Sequence, residues 1–287
     1  MIIDRIINQR FDMFKDGENC DTDNFKEFFP FDESLICQLF EVMKKKLERT
    51  NGWDEDSITA AIIDSLIDIF AKDTSHNVNV YKQRGNLEAK FGDIAFVITN
   101  YLDNGKVING VSFIEAKRDF PKNDYKFSSF KSEQMKRFLS NTNSSYYLFY
   151  SHYSFLPISD THYLNQIVNN KHIKDGNLKL EDLIYMQYTF FSQISRFLQG
   201  YDLDYTKESI IIAEGKNDNL GKAKYIIQIE KFGEGGHPEP TPSPDGTPPF
   251  KPDLNRYKKY TKESTIKIKN DIEHKNDNGG FGMGMGM

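Results

Sequence analysis

Cysteine is scarce in this chain, with two residues in 287, Cys20 and Cys37. Two thiols supply neither a disulfide framework nor the ligand spacing of a structural zinc site, so a reducing compartment is expected. No apolar run approaches the roughly 20 residues of a bilayer span. The opening MIIDRIINQRFD carries acids where a secretory leader would not. A cytoplasmic protein with no membrane partner is expected. The six histidines, His76, His152, His162, His172, His237 and His274, show no metal-ligand spacing.

Excess charge is also small, at −5 net, which argues against an indiscriminate nucleic-acid coat. The distribution is uneven. Residues 1–75 hold 17 acids and 9 bases, whereas residues 116–140 hold 7 bases and 3 acids. Proline is concentrated in one place, seven of the ten falling between Pro238 and Pro252 in GGHPEPTPSPDGTPPFKPD. That composition predicts an extended linker. Beyond it lie a basic stretch, Arg256 to Lys275, and the tail GGFGMGMGM, which is too poor in apolar residues to bury a core.

What is present reads as helices, then strands. Leu35, Ile36, Leu39, Phe40 and Met43 share one helical face after a staple and cap at Phe31–Glu33. A second helix starts between Asp54 and Ser57, with Ile58, Ile62, Leu66 and Ile69 as its stripe and acids in its first turn. Val78 to Lys82, GDIAFVITNY and GVSFIEA read as strands, with Asp103-Asn104-Gly105 as a tight turn. A helix over Ser132–Leu139 and a strand over Tyr146–Tyr150 follow. Residues Leu180 to Leu198 read as one long amphipathic helix stopped by Gly200, and Ser209–Ala213 and Tyr225–Ile229 as short strands.

Glu115-Ala116-Lys117 closes one hydrophobic run, and Asp93 follows Gly92 at the start of the preceding one. Two carboxylates and a lysine on neighbouring strands can hold a hard divalent cation and orient a water molecule. The alternative is a solvated strand end carrying a neutralising pair. A two-residue loop at Asn104-Gly105 would turn Glu115 away from Asp93, because side chains alternate along a strand. One extra residue in the second strand restores a shared face, and Gly110 is where such a bulge is expected.

Together these residues resemble the PD-(D/E)XK nuclease superfamily, the restriction-endonuclease-like fold. The likeness covers about Asp54 to Tyr150. It comprises an acid-bearing helix start (Asp54-Glu55-Asp56), the Gly92-Asp93 strand, Glu115-Ala116-Lys117, then a helix bearing Gln134 and a final strand. Gly92 stands where the name-giving proline would be. The resemblance implies an α/β core with a mixed sheet flanked by helices. Residues 1–52 would form an N-terminal helical extension, 53–232 the nuclease-like domain with a C-terminal helical cap, and 233–287 a linker and flexible tail.

The implied activity is metal-dependent hydrolysis of nucleic acid, DNA favoured over RNA, in restriction or anti-phage defence. Asp93, Glu115 and the Ala116 carbonyl would bind Mg²⁺, or Mn²⁺, and Glu55 would complete the set, with Asp56 as its alternative. Lys117 would orient and help deprotonate the attacking water, and Gln134 would support Lys117 or a phosphate. Lys82, Lys131, Lys136 and Arg137 are candidates for backbone contacts. Such enzymes commonly act as dimers or with a partner protein. The rival reading is a binding or scaffold module that keeps the fold without cutting.

Overall fold

The computed structural model describes residues 53–71, 76–85, 91–102, 105–151, 156–183, 188–232 and 248–261. The expected helix over 35–43, Asn104, most of the proline-rich linker and the Gly-Met tail lie outside these residues.

Helix α1 (Glu55–Phe70) begins where Asp54 accepts the Ser57 N–H at 2.8 Å. The strands β1 (His76–Gln83), β2 (Ile94–Tyr101) and β3 (Val107–Arg118) follow, then α2 (Ser132–Asn141) and β4 (Ser145–Tyr150). The second half contributes β5 (Pro157–Asp160), α3 (Thr161–Asn170), α4 (Leu180–Leu183), β6 (Tyr188–Thr189) and α5 (Phe190–Leu198). It ends with α6 (Lys207–Ala213), β7 (Tyr225–Phe232) and β8 (Tyr257–Lys259). Among the described residues no helix is long and apolar enough to cross a membrane.

The strands form one mixed sheet of eight, in the order β6-β5-β4-β3-β2-β7-β1-β8. The pairs β2·β7 and β3·β4 are parallel and the remaining neighbours antiparallel. Both faces are covered. Ile94, Phe96, Ile98, Ile114 and Ala116 pack with α1 and α5, while Ala95, Val97, Val111 and Phe113 pack with α2, α3 and α6. A central strand buried on both faces reads as a continuous apolar run, and IAFVI of β2 does so.

Four expectations need correction. The β2–β3 ladder is regular through Ile98↔Gly110, so there is no bulge at Gly110. Each of its pairs sums to 208, as Ile94 with Ile114 and Tyr101 with Val107 do, because three residues (103–105) rather than two separate Leu102 from Lys106. The Leu102 N–H donates to Lys106 O and the Gly105 N–H to Leu102 O, both at 2.9 Å, with Gly105 at φ +77°. This is the three-residue hairpin with glycine in the left-handed position. The extra residue thus enters at the loop. Gly110 serves close packing instead: a Cβ there would lie 2.8 Å from Leu203 Cδ1 and Tyr205 Cε1.

The helix expected over 180–198 is interrupted. Tyr188 and Thr189 pair with Ile158 and Pro157 as β6, and the Thr189 hydroxyl caps a new helix by accepting the Ser192 N–H at 3.2 Å. Residues Ser209–Ala213 are helical rather than extended. Thr206 caps α6, and Asp204 fixes the Ser209 hydroxyl at 2.7 Å, overriding the β-branched run. Finally, residues 248–261 belong to the fold. Tyr257 is fully buried and donates to Ala223 O at 3.0 Å, and β8 completes the sheet beside β1.

Candidate active site

Asp93 comes to β3 through Gly92. With φ at +84° and the Ile114 carbonyl and Phe138 ring each 3.1 Å from a notional Cβ, position 92 accepts only glycine without strain. The Asp93 N–H then donates to Ile114 O at 2.9 Å, and its Oδ2 accepts the Ala116 N–H at 2.8 Å. The N–H and C=O of one strand residue point to the same side, so the Ala116 carbonyl is also directed towards Asp93.

The register carries Glu115 and Lys117 onto the face of Phe113 and Val111. Both are 4 % exposed. The Lys117 ammonium pairs with Glu115 Oε1, and Gln134 Nε2 donates to the same oxygen at 2.7 Å. Gln134 reaches it because Met135 and Phe138 pin α2 to this side of the sheet. Asp93 Oδ1 and Glu115 Oε2 accept no hydrogen bond among the described residues.

The electrostatics are those of a strained cluster. Burial first, then the Glu115 charge, push Asp93 up to about 8, against the pull of Lys117 and the Ala116 N–H. Burial likewise raises Glu115, with Lys117 opposing it. For Lys117, burial would lower the ammonium, but Glu115, Asp93 and Glu55 outweigh it and hold the group cationic. Desolvating such groups costs several kcal/mol per ion, and a well-packed apolar trio is often more stable. Perturbed carboxylates of this kind cluster at functional sites, which makes this a candidate site.

Glu55 is adjacent, but held elsewhere. Its Oε1 accepts the Ser129 hydroxyl at 2.6 Å and the Arg118 N–H at 3.2 Å, so it steadies the end of β3 while its charge raises Glu115 and Lys117. Asp56 instead pairs with Lys224. Among the described residues no three His, Cys, Asp or Glu side chains gather closely enough to hold a metal ion by themselves. The available set is two carboxylates and a main-chain carbonyl.

The expected phosphate-contacting residues divide between two places. Lys131, Lys136 and Arg137 lie on α2 or its N-cap with Gln134, the first two exposed and acting on Asp175. Lys82 lies across the sheet, its ammonium 5.3 Å from the Tyr225 ring centroid. Lys224 and Lys258 come beside it through strand pairing, which the sequence alone did not place. Tyr147 stands opposite Glu115 on β4, its buried hydroxyl without a hydrogen-bond partner among the described residues.

No family model, curated protein or solved structure matches this chain.

Proposed function

We propose that this chain is a metal-dependent nuclease of the restriction-endonuclease-like class, hydrolysing phosphodiester bonds in nucleic acid, with DNA as the preferred substrate. The observation that carries this reading is the convergence of Asp93, Glu115, Lys117 and Gln134 at one end of the sheet. They come from two strands and a helix, and direct hydrogen bonds tie Glu115 to Lys117 and to Gln134.

A magnesium ion suits the donor set. Mg²⁺ keeps several waters and is commonly bound through one or two carboxylates, so Asp93, Glu115 and the Ala116 carbonyl suffice without Glu55. Bound there, the ion would supply Lewis acidity and an activated water. The chain's own groups do the rest. Asp93 is fixed by the Ala116 N–H, and Gln134 orients Glu115. Lys117, held cationic, stabilises charge developing on the phosphoryl oxygens. Lys117 is also placed to orient the attacking water.

The test is plasmid cleavage with Mg²⁺ or Mn²⁺ by the full chain, beside Glu115→Ala and Lys117→Ala. Loss of cutting in both variants supports the site. Cutting that survives both refutes it. Binding without cutting under either metal would identify a non-catalytic module.

A further inference from the structure

Three lysines far apart in sequence form a row leading to Asp93. Lys258 on β8 is directly opposite Lys82 on β1. Lys82 is opposite Tyr225 on β7, and Lys224 precedes that tyrosine. The backbone closes the remaining distance: the Lys224 N–H donates to Gly92 O at 3.2 Å and the Tyr225 N–H to Asp93 O at 2.8 Å. Neighbouring strands are ~4.8 Å apart, so the row covers about 15 Å from Lys258 to Asp93.

The row is under-neutralised. Lys224 pairs with Asp56, and the charges acting on Lys82 are Lys224 and Lys258 against that same Asp56. Burial and these neighbours hold the Lys82 ammonium below its ordinary value. Like charges directly opposite on paired strands are destabilising. Lys258 is exposed and the other two are half-buried, so the positive row is open to a ligand. It also ends beside the site: the Tyr225 ring beneath Lys82 carries a phenol on which both Asp56 and Asp93 act.

We propose that Lys258, Lys82 and Lys224 form the track along which the phosphate backbone of a nucleic-acid strand runs across the sheet end to the Asp93–Glu115 centre. This rests on the nuclease reading of that centre and adds a direction to it. The strand enters over β8, so a segment whose composition suggests a tail is part of the substrate surface. A repeating polyanion is the matching partner, because only successive phosphates meet cations on three successive strands. Recognition of this kind positions the backbone and is independent of base sequence.

The test uses the full chain carrying Glu115→Gln, so that binding is read without cutting. A fluorescein-labelled DNA oligonucleotide is titrated by anisotropy over a range of salt. Lys82→Gln and Lys258→Gln are each expected to weaken binding roughly tenfold near physiological salt, and to lower the salt slope by about one each. Lys258→Glu weakens it further. Lys231→Gln, exposed at the far end of β7, leaves both unchanged. Thermal melts confirm folding, and Lys258, being exposed, keeps the test valid if Lys82→Gln unfolds. An unchanged affinity and slope in the Lys258 variants, with the parent binding well, overturns the track alone. No DNA binding by the parent overturns both the track and the nuclease reading.

Discussion

Gln134 and Lys117 meet on one oxygen of Glu115, leaving the other oxygen of that carboxylate without a donor among the described residues. Removing one donor should loosen the carboxylate without disturbing the core, since Gln134 is only half-buried. Gln134→Ala is expected to cut cleavage by roughly 10–100-fold and to raise the magnesium concentration needed for half-maximal rate. An unchanged metal dependence would show that Gln134 plays no positioning part.

Asp93 carries the clearest pH consequence. Its folded-state value of about 8 lies above the ~3.9 of an unfolded aspartate. Between the two, the folded chain binds the extra proton, so without metal its stability falls as pH rises through that window. Asp93→Asn cannot ionise, yet keeps an acceptor for the Ala116 N–H. In urea denaturation with chelator it should exceed the wild type by ~1–2 kcal/mol above about pH 8, and the gain should vanish near pH 4. Parallel curves at both pH values would contradict the assignment.

Asp204 has the opposite sign. Burial alone would raise it, but the Ser209 hydroxyl, the Asn143 N–H and Thr206 outweigh burial and bring it to about 2. Its stability contribution is therefore present above the unfolded value near 3.9 and lost as pH falls towards 2. The carboxylate joins the end of α2 to α6 through Thr142 Oγ1 at 3.0 Å, Asn143 N at 2.7 Å and Ser209 Oγ at 2.7 Å. Asp204→Asn should cost ~2–3 kcal/mol at neutral pH, with the gap to wild type closing in melts at acid pH. A gap that is constant with pH would mean the charge is irrelevant.

Gly110 predicts a packing defect, not a backbone one. A Cβ at 2.8 Å from Leu203 and Tyr205 forces the 203–205 segment off β3, so Gly110→Val should destabilise by ~1–3 kcal/mol. Leu203→Ala in the same chain should recover part of that loss. No recovery would place the strain elsewhere.

The legible parts of this protein were those whose cause is local. The start of α1 between Asp54 and Ser57, its apolar stripe, the α2 segment and the apolar β2 and β3 runs are written in consecutive residues, and each was found where expected. That Glu115 and Lys117 share a face followed from their spacing of two on a strand. What failed was decided by partners distant in sequence. The β-branched run of α6 became helical because Asp204 and Thr206 hold its first turn, and β6 broke a helical pattern because β5 offered hydrogen bonds. The parity of the hairpin turned on one residue of loop length, which Asn-Gly alone does not fix. The Lys82 row required β7 and β8, which pair with β1 from about 140 and 180 positions away along the chain.

Strand β7 separates β1 from β2, although it lies more than 120 residues after β2 in the chain. During synthesis, therefore, Asp93 and Glu115 are made long before the strand that seals their sheet. Until Tyr225 emerges, β2 is an apolar edge with unpaired amides, prone to pair with other chains. The sheet around Asp93 and Glu115 is thus closed late, and a nascent or prematurely terminated chain carries both carboxylates on an unfinished sheet.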